Sequence, residues 1–180
     1  MAKYPKGSEW RIWDLHIHTP GTAKNDQYGN DEAAWEAYIA KLEENTDVAV
    51  LGITDYFSIE NYLFLKQKQA MGRLLGKTIL PNVELRITPV TRQETPINIH
   101  VIFNPELSID LIEREFIGCL KFSYGGSEYS FTRRDLIALG KAFRNDNSLD
   151  DESARKVGIG QFNINFQDLY RILQKPILRN

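Results

Sequence analysis

The apolar segment DVAVLGIT, residues 47–54, is the feature that most restricts how this 180-residue chain can fold. Short apolar runs of this kind are typical of strands buried on both faces of a parallel sheet. Residues 10–18 alternate as a strand does, and residues 77–87 and 97–103 read as two more strands. Helical periodicity lies between the first three strands. This alternation predicts an α/β fold with a largely parallel sheet, either open or closed as a barrel.

Three helices accompany these strands. Asn30-Asp31 opens the first, Ser58 caps the second, and the third lies near residues 108–120. Their apolar stripes are Trp35, Tyr38, Ile39 and Leu42 in the first, Ile59, Tyr62, Leu63, Ala70 and Leu74 in the second, and Ile109, Ile112, Phe116 and Cys119 in the third. The polar segment TPVTRQETP, 88–96, is short enough for a hairpin or an excursion at the edge of the sheet.

The periodicity is weaker after residue 122. Residues 123–131 predict a glycine turn between short strands, and Thr132-x-x-Asp135 predicts a helix that continues to about Phe143. The polar residues 145–156 predict a mobile loop, which extends over 145–160 at its longest. A short strand at 162–164 then leads into a helix that starts at Asn165-x-x-Asp168. The apolar side of that helix consists of Phe166, Leu169, Tyr170 and Leu173.

Composition restricts the class of protein. With 42% hydrophobic residues, 180 residues suffice for one core and are too few for two large domains, so residues 1–180 are predicted to form a single domain. The formal net charge of -2 provides no global basic field that would attract nucleic acid. The single cysteine excludes an internal disulfide framework, and the sequence shows neither a signal-peptide core nor a membrane-spanning run. A cytoplasmic location is expected.

Two of the three histidines lie one residue apart in WRIWDLHIHTPG, residues 10–21. In a strand, His16 and His18 point to the same face as Asp14. Neutral imidazoles are ligands of Zn²⁺, Mn²⁺ and Fe²⁺, but such a pair also suits a partly buried, hydrogen-bonded arrangement without metal. Asp14 has two interpretations as well, since its carboxylate can orient an imidazole or make a structural hydrogen bond.

Other potential ligands lie at or near the ends of successive predicted strands. Asp55 follows the second strand, Glu84 lies late in the third, and His100 lies in the fourth. In α/β folds the functional face is the carboxyl end of the strands. A set of histidine and carboxylate ligands without thiolates favours a hydrolytic metal site over a closed structural one.

Four segments carry a resemblance to a known family. DLHIHTP, LGITDYFS, PNVEL and NIHVIFN resemble, in order and spacing, the motifs of the PHP family of metal-dependent phosphoesterases, which includes histidinol phosphatases and the PHP domains of bacterial replicative polymerases. WRIWDLHIHTPG with ITDYFSIENY is most similar to PHP domains at the front of large bacterial ATPases linked to DNA transactions and phage defence. The resemblance covers residues 10–104. It implies a distorted (β/α)₇ barrel with two or three metals at the carboxyl ends of its strands.

The resemblance also implies roles for individual residues. His16 and His18 are then metal ligands, Glu84 binds or bridges metals, and His100 binds a neighbouring metal. Asp55 corresponds to the aspartate of the family's Thr-Asp-His motif. The implied cofactors are Mn²⁺, Zn²⁺ or Fe²⁺. The implied reaction is hydrolysis of a phosphoester, of nucleic acid or nucleotide, by water that the metals activate.

The sequence departs from the family's motifs at three places. Tyr56 replaces the histidine that usually follows Asp55, and tyrosine is a poor ligand here, so Tyr56 is assigned a place beside the metals. Residues 21–29 replace a short Ser-Asp-Gly segment, with Asp26 as a candidate substitute. The late Asp-x-His ligand pair is absent, since no histidine follows His100.

Two explanations of the missing ligands are open. The chain is either the front part of a longer barrel, completed by further polypeptide or by another chain, or a degenerate PHP-like module. Such a module would be non-catalytic and would serve as a scaffold that binds nucleic acid or an ATPase. A C-terminal or separate ATPase is an expected partner. An incomplete barrel would favour self-association and expose apolar residues of the last segment, namely Phe162, Ile164, Leu169 and Leu173. Trp10, Trp13 and Trp35 are expected in the core or the barrel wall.

Overall fold

A computed structural model of the chain describes residues 10–22, 29–88, 92 and 97–178, so Asp26 lies outside the described residues. The strands are β1 (Ile12–His18), β2 (Val48–Tyr56), β3 (Thr78–Thr88), β4 (Ile97–Ile102), β5 (Lys121–Tyr124), β6 (Ser127–Ser130) and β7 (Ile164–Asn165). The helices are α1 (Glu32–Glu44), α2 (Glu60–Ala70), α3 (Ile109–Glu115), α4 (Arg133–Arg144), α5 (Asp151–Gln161) and α6 (Phe166–Leu173). Short 3-10 turns cover Ile117–Cys119 and Pro176–Leu178. None of the described helices is long and apolar enough to cross a membrane.

The main sheet is curled and largely parallel, and it forms a half-barrel. Its order is β1-β2-β3-β4, with β1, β2 and β3 parallel and β7 pairing in parallel with the end of β3. This confirms the predicted α/β class. β4 differs, because it runs antiparallel to β3 as the second strand of a hairpin. β5 and β6 form a separate two-stranded ribbon.

Several predicted helix starts are confirmed because their signals are local. The side chain of Asp31 caps α1, Thr132 caps α4, and Asn165 caps α6, each by accepting a backbone N–H of the first turn. The hydroxyl of Ser58 accepts from the N–H of Glu60, 3.2 Å away, although the helix itself begins one residue later than a Ser58 cap would place it.

The end of α2 differs from the prediction. The helix ends at Ala70, and Leu74 lies in the following loop with a left-handed backbone, φ 54°. Leu74 is nevertheless fully buried, and its N–H donates to the carboxylate of Glu43 at 2.7 Å. Arg73 binds the same carboxylate at 3.0 Å. The acidic side of α1 therefore holds this loop against the core.

The predicted mobile loop at 145–160 is wrong over most of its length, because α5 occupies Asp151–Gln161. The carboxylate of Asp150 caps the helix by accepting the N–H of Ser153 at 2.9 Å. Its contact face consists of small residues: a Cβ atom at Gly158 would lie 2.0 Å from the carbonyl oxygen of Leu136 in α4. Small residues bring the two backbones together without the large apolar side chains that signal a helix in a sequence.

The expectation that the last segment exposes its apolar residues is also wrong. Phe162, Ile164 and Leu169 are fully or almost fully buried in the apolar cluster that covers β3, and Leu173 packs against it. The stripe of α6 is narrower than predicted, since Phe166 and Tyr170 are exposed.

The predicted positions of two tryptophans are wrong. Trp10 and Trp13 are exposed because β1 lies at the edge of the sheet, where it pairs only with β2 among the described strands. Trp35 is partly buried, with its ring centroid 4.5 Å from that of Phe64. Strand order, which brings β1 to the edge, is not encoded in the local pattern around Trp13.

The contact between α4 and α5 gives a test of the helix that the sequence did not predict. Gly158→Ala is expected to lower the free energy of unfolding by about 1–3 kcal/mol, because the added methyl group collides with the backbone of α4. Gly160→Ala in the same helix is the matched control, since no heavy atom lies within 4 Å of a Cβ at that position. The control should be neutral or up to about 1 kcal/mol more stable. Urea unfolding followed by circular dichroism measures both, and equal midpoints would contradict the close packing.

Candidate metal centre

A β-bulge in β1 shapes the site. Asp14 pairs with Leu51 and Ile17 with Ile53, so two residues of β1, Leu15 and His16, stand opposite the single residue Gly52 of β2. The carbonyl of Leu15 turns toward Gly52, where a Cβ atom would lie only 2.4 Å from its oxygen. Position 52 therefore requires glycine because of this close backbone approach.

Asn82 of β3 holds the bulge. Its Nδ2 donates to the carbonyl oxygen of Leu15 at 2.6 Å and to Oγ1 of Thr54 at 2.8 Å, and the side chain is fully buried. On the other side of the bulge, a carboxylate oxygen of Asp14 accepts the backbone N–H of His16 at 3.3 Å. Asp14 thus makes the structural hydrogen bond, and its predicted role of orienting an imidazole is not what the structure shows.

Three side chains converge on the concave face of the sheet. Nε2 of His16 and Nε2 of His18 lie 3.0 Å apart, and Oε2 of Glu84 lies 3.6 Å from the first and 3.2 Å from the second. A triangle of this size can have all three corners about 2.0–2.2 Å from one point, which matches Zn–N and Zn–O distances. The side chain of His16 is 54% exposed and that of Glu84 is 1% exposed, so the cluster is buried on the side of Glu84 and open to solvent on the side of His16.

The hydrogen bonding of Glu84 supports a cation at this place. Oε1 accepts from Nδ2 of Asn98 at 2.7 Å. Oε2 is buried and makes no hydrogen bond of regular geometry with a described residue, and its neighbours are Nε2 of His18 at 3.2 Å and the side chain of Tyr56. A cation bound between Oε2 and the two imidazoles would replace the ion pair with His18.

His100 lies beside the cluster, with its ring centroid 4.4 Å from that of His16. It arrives there because β4 pairs antiparallel with β3 and places it opposite Glu84, not because it ends a parallel strand as predicted. Nδ1 of His100 lies 3.1 Å from Nδ2 and 3.3 Å from Oδ1 of Asn82. Because both hydrogens of Nδ2 are directed at Leu15 and Thr54, we assign Oδ1 as the acceptor of the N–H at Nδ1, which leaves the lone pair of His100 on Nε2.

Tyr56 lies where the resemblance would place a histidine. Its ring stacks on that of His18, with centroids 5.3 Å apart and an angle of 19°. Burial and the neighbouring carboxylate of Glu84 raise the pKa of its hydroxyl, so Tyr56 stays protonated and interacts with Glu84 as a neutral phenol. It is a neighbour of the cluster, as predicted, and not one of the three converging residues.

Asp55 is not brought into the cluster. Successive residues of a strand face opposite sides, and Asp55 faces α2 whereas Tyr56 faces the concave side. Oγ1 of Thr19 donates to Oδ1 of Asp55 at 2.7 Å and accepts from Nδ2 of Asn61 at 2.9 Å. Burial raises the pKa of Asp55, although Thr19 and Asn61 oppose the rise. Asp55 therefore lies outside the group of three converging side chains, although its charge adds to that of Glu84 in raising the pKa of His18. A metal shared by Asp55 and the histidines stays a prediction.

The electrostatics of the cluster follow from burial and proximity. The Glu84 carboxylate raises the pKa of His18, although burial of the ring opposes this. Burial favours protonation of Glu84, but His18 and Tyr56 outweigh it and hold its pKa below the ordinary value. Burial and the nearby His16 lower the pKa of His100. Near neutral pH the cluster therefore combines a carboxylate with an uncharged His100.

The sequence prediction missed Asn82, Asn98 and Thr54, which position the ligands. Each lies two residues from a polar residue on the same face of its strand: Asn82 from Glu84, Asn98 from His100, and Thr54 from Tyr56. The alternation that grouped His16 with His18 was a sufficient signal to find them.

No protein-family model, no curated protein and no solved structure matches this chain.

Binding of Mn²⁺ or Zn²⁺ is expected to strengthen as pH rises through a midpoint above 6.5, because His18 must lose its proton and its pKa is raised above that value. In the metal-free protein, the sign is opposite: the protonated pair of His18 with Glu84 stabilises the fold below pH 6.5 and this contribution is lost as pH rises through the raised pKa. Calorimetric titration from about pH 5 to 8 measures the first effect. Affinity that does not change over this range would contradict the assignment of His18 as a ligand.

Asn82→Ala is expected to weaken metal binding by about 10–100-fold, because it releases both the Leu15 carbonyl and the imidazole of His100. Asn147→Ala, an exposed asparagine between α4 and α5, is the matched control and should bind metal as the wild type does. Circular dichroism establishes that both variants fold. Unchanged affinity in a folded Asn82→Ala protein would show that the bulge does not position the ligands.

Proposed function

We propose that this chain is a PHP-type, metal-dependent phosphoesterase domain that hydrolyses a phosphoester of a nucleic acid or nucleotide in the cytoplasm. The observation that carries the proposal is the convergence of Nε2 of His16, Nε2 of His18 and the buried Oε2 of Glu84. Two imidazoles and one carboxylate are the ligand set of many hydrolytic zinc sites, which keep a further position open. The exposure of His16 leaves such a position on the concave side.

The chemistry follows from the donor set. A divalent cation, when bound, polarises a phosphoryl group and increases the acidity of water. Glu84 supplies the negative charge that holds the cation, and Asn98 fixes its other oxygen. His100 presents a neutral Nε2 beside the cluster, where it can accept a proton or bind a second cation. Mn²⁺, Zn²⁺ and Fe²⁺ all suit these ligands.

The order of the motifs supports the PHP assignment. DLHIHTP, ITDYFS, PNVEL and NIHVIF supply the residues on β1, β2, β3 and β4 that line the concave face. The half-barrel is compatible with part of a (β/α)₇ barrel. We further propose that an ATPase segment or partner, and a nucleic acid, associate with this domain as they do in the large ATPases that it resembles.

A non-catalytic scaffold is the second candidate function, and Tyr56 is the observation that favours it. The residue occupies the place of a family ligand, and the described residues contain one group of three ligands where the family implies two or three metals. A domain of this kind would bind nucleic acid or an ATPase without hydrolysis.

Glu84→Gln is expected to lower Mn²⁺-dependent hydrolysis of bis(p-nitrophenyl) phosphate by about 100-fold or more, because it keeps the size of the side chain but removes the charge that binds the cation. Glu128→Gln, which changes an exposed carboxylate of β6, is the matched control. The assay compares both variants with the wild type, with and without added Mn²⁺, after metal analysis of each protein.

Each result separates the two candidate functions. Hydrolysis that requires metal and is lost only in Glu84→Gln supports the phosphoesterase. Wild-type protein that binds metal but does not hydrolyse the diester supports the scaffold, and equal activity in the two variants would rule out this cluster as the active site.

A further inference from the structure

A second feature lies close to the metal centre, on the other side of β2. A cavity of about 510 Å³ opens at the carboxyl end of this strand, and Asp55 and Tyr56 both line it. Its volume is within the range of small-molecule sites. Since the ring of Tyr56 stacks on His18, the cavity and the metal centre are separated by the thickness of one side chain.

The cavity contains a buried acceptor that the fold leaves without a partner. Asp55 is 2% exposed, and Oδ1 is held by Thr19. Oδ2 makes no hydrogen bond of regular geometry with a described residue, although Asn61 and Thr22 lie near the carboxylate. A buried carboxylate oxygen in this position favours a ligand that brings an N–H donor. Glu60 and Glu113 also border the cavity and add to its preference for donors.

Much of the remaining wall is aromatic and aliphatic. Phe57 and Phe131 line the cavity and stack on each other, with ring centroids 4.5 Å apart and an angle of 17°. Ile117, Leu136 and Ile159 continue the apolar surface. A flat, aromatic ligand group with polar edges matches a wall of this composition.

Two arginines complete the lining. Arg133 and Arg155 share one carboxylate, that of Glu152, at 3.6 Å and 2.9 Å respectively. The lining therefore carries two guanidinium groups as well as the carboxylates of Asp55, Glu60 and Glu113. Guanidinium groups bind phosphate oxygens with strong, charge-assisted hydrogen bonds.

We propose that this cavity binds the nucleoside of the substrate, with an amino-bearing base whose exocyclic N–H donates to Oδ2 of Asp55 and a phosphate beside Arg133 and Arg155. This assignment rests on the proposed function, which supplies the reaction. It identifies the substrate as a nucleotide unit, either free or at the end of a strand. Bases that carry a carbonyl oxygen in place of the amino group would direct an acceptor at a carboxylate and are disfavoured.

Binding of CMP and UMP in the presence of EDTA tests this assignment without the metal. The two nucleotides differ by an amino group and an oxygen on the base, so CMP should bind about 10-fold or more tightly than UMP. Asp55→Asn keeps the size of the side chain and should bring the ratio close to one. Phe131→Ala should weaken both nucleotides equally. Calorimetry measures the affinities, and circular dichroism establishes that each variant folds.

Further measurements distinguish a free nucleotide from a nucleotide at the end of a strand. They also distinguish failure of the nucleotide assignment from failure of the proposed function. Short single-stranded RNAs that end in C or U show whether a strand terminus binds better than free CMP. Glu128→Gln should bind CMP as the wild type does, because Glu128 is an exposed residue of β6 that does not line the cavity. If no nucleotide binds at millimolar concentration, or if the wild type does not prefer CMP, the nucleotide assignment is overturned even where hydrolysis is observed. Preference for CMP without hydrolysis supports the cavity and contradicts the phosphoesterase.

Discussion

The carbonyl group of Leu15 is the element on which the rest of the site depends. It leaves the ladder between β1 and β2, turns over Gly52, and is held by the amide of Asn82. The extra residue in β1 changes the course of the strand between Asp14 and Ile17 and so sets the position of His16 and His18 relative to Glu84. Because Asn82 also contacts His100, one buried amide ties three strands to the same geometry.

One face of β3 contributes side chains to the core, and the other contributes side chains to the candidate site. Val83 and Leu85 pack into the apolar cluster, while Asn82 and Glu84 point to the concave side. Buried polar groups are tolerable where they are hydrogen-bonded, as Asn82 is. Oε2 of Glu84 instead faces Nε2 of His18 at 3.2 Å and Nε2 of His16 at 3.6 Å. A cation at the proposed site would compete with the proton of His18 for this carboxylate.

The features that could be predicted from the sequence are those that depend on residues close together in the chain. Strand periodicity and the caps at Asp31, Thr132 and Asn165 act within a few residues, and they were identified correctly. The convergence of His16 with His18 follows from the same short-range pattern. The bulge does not, because its cause lies in Gly52 and Asn82 on two other strands. The sequence prediction missed α5 because this helix packs on α4 through small residues such as Gly158, which leave no apolar pattern in the sequence.

The position of Asp55 shows how a strand end can serve two sites. Motif order grouped Asp55 with the histidines, but alternation along β2 turns it toward α2 and turns Tyr56 toward His18. Asp55 lines the cavity with the aromatic wall and the arginines, whereas Tyr56 lines that cavity and also contacts the group of imidazoles and carboxylate. Under the proposed function, this division separates the group that reacts from the group that is recognised. A substitution at Asp55 then acts on the choice of substrate, whereas a substitution at Glu84 acts on the reaction, and the rigid peptide geometry of one strand keeps the two in register.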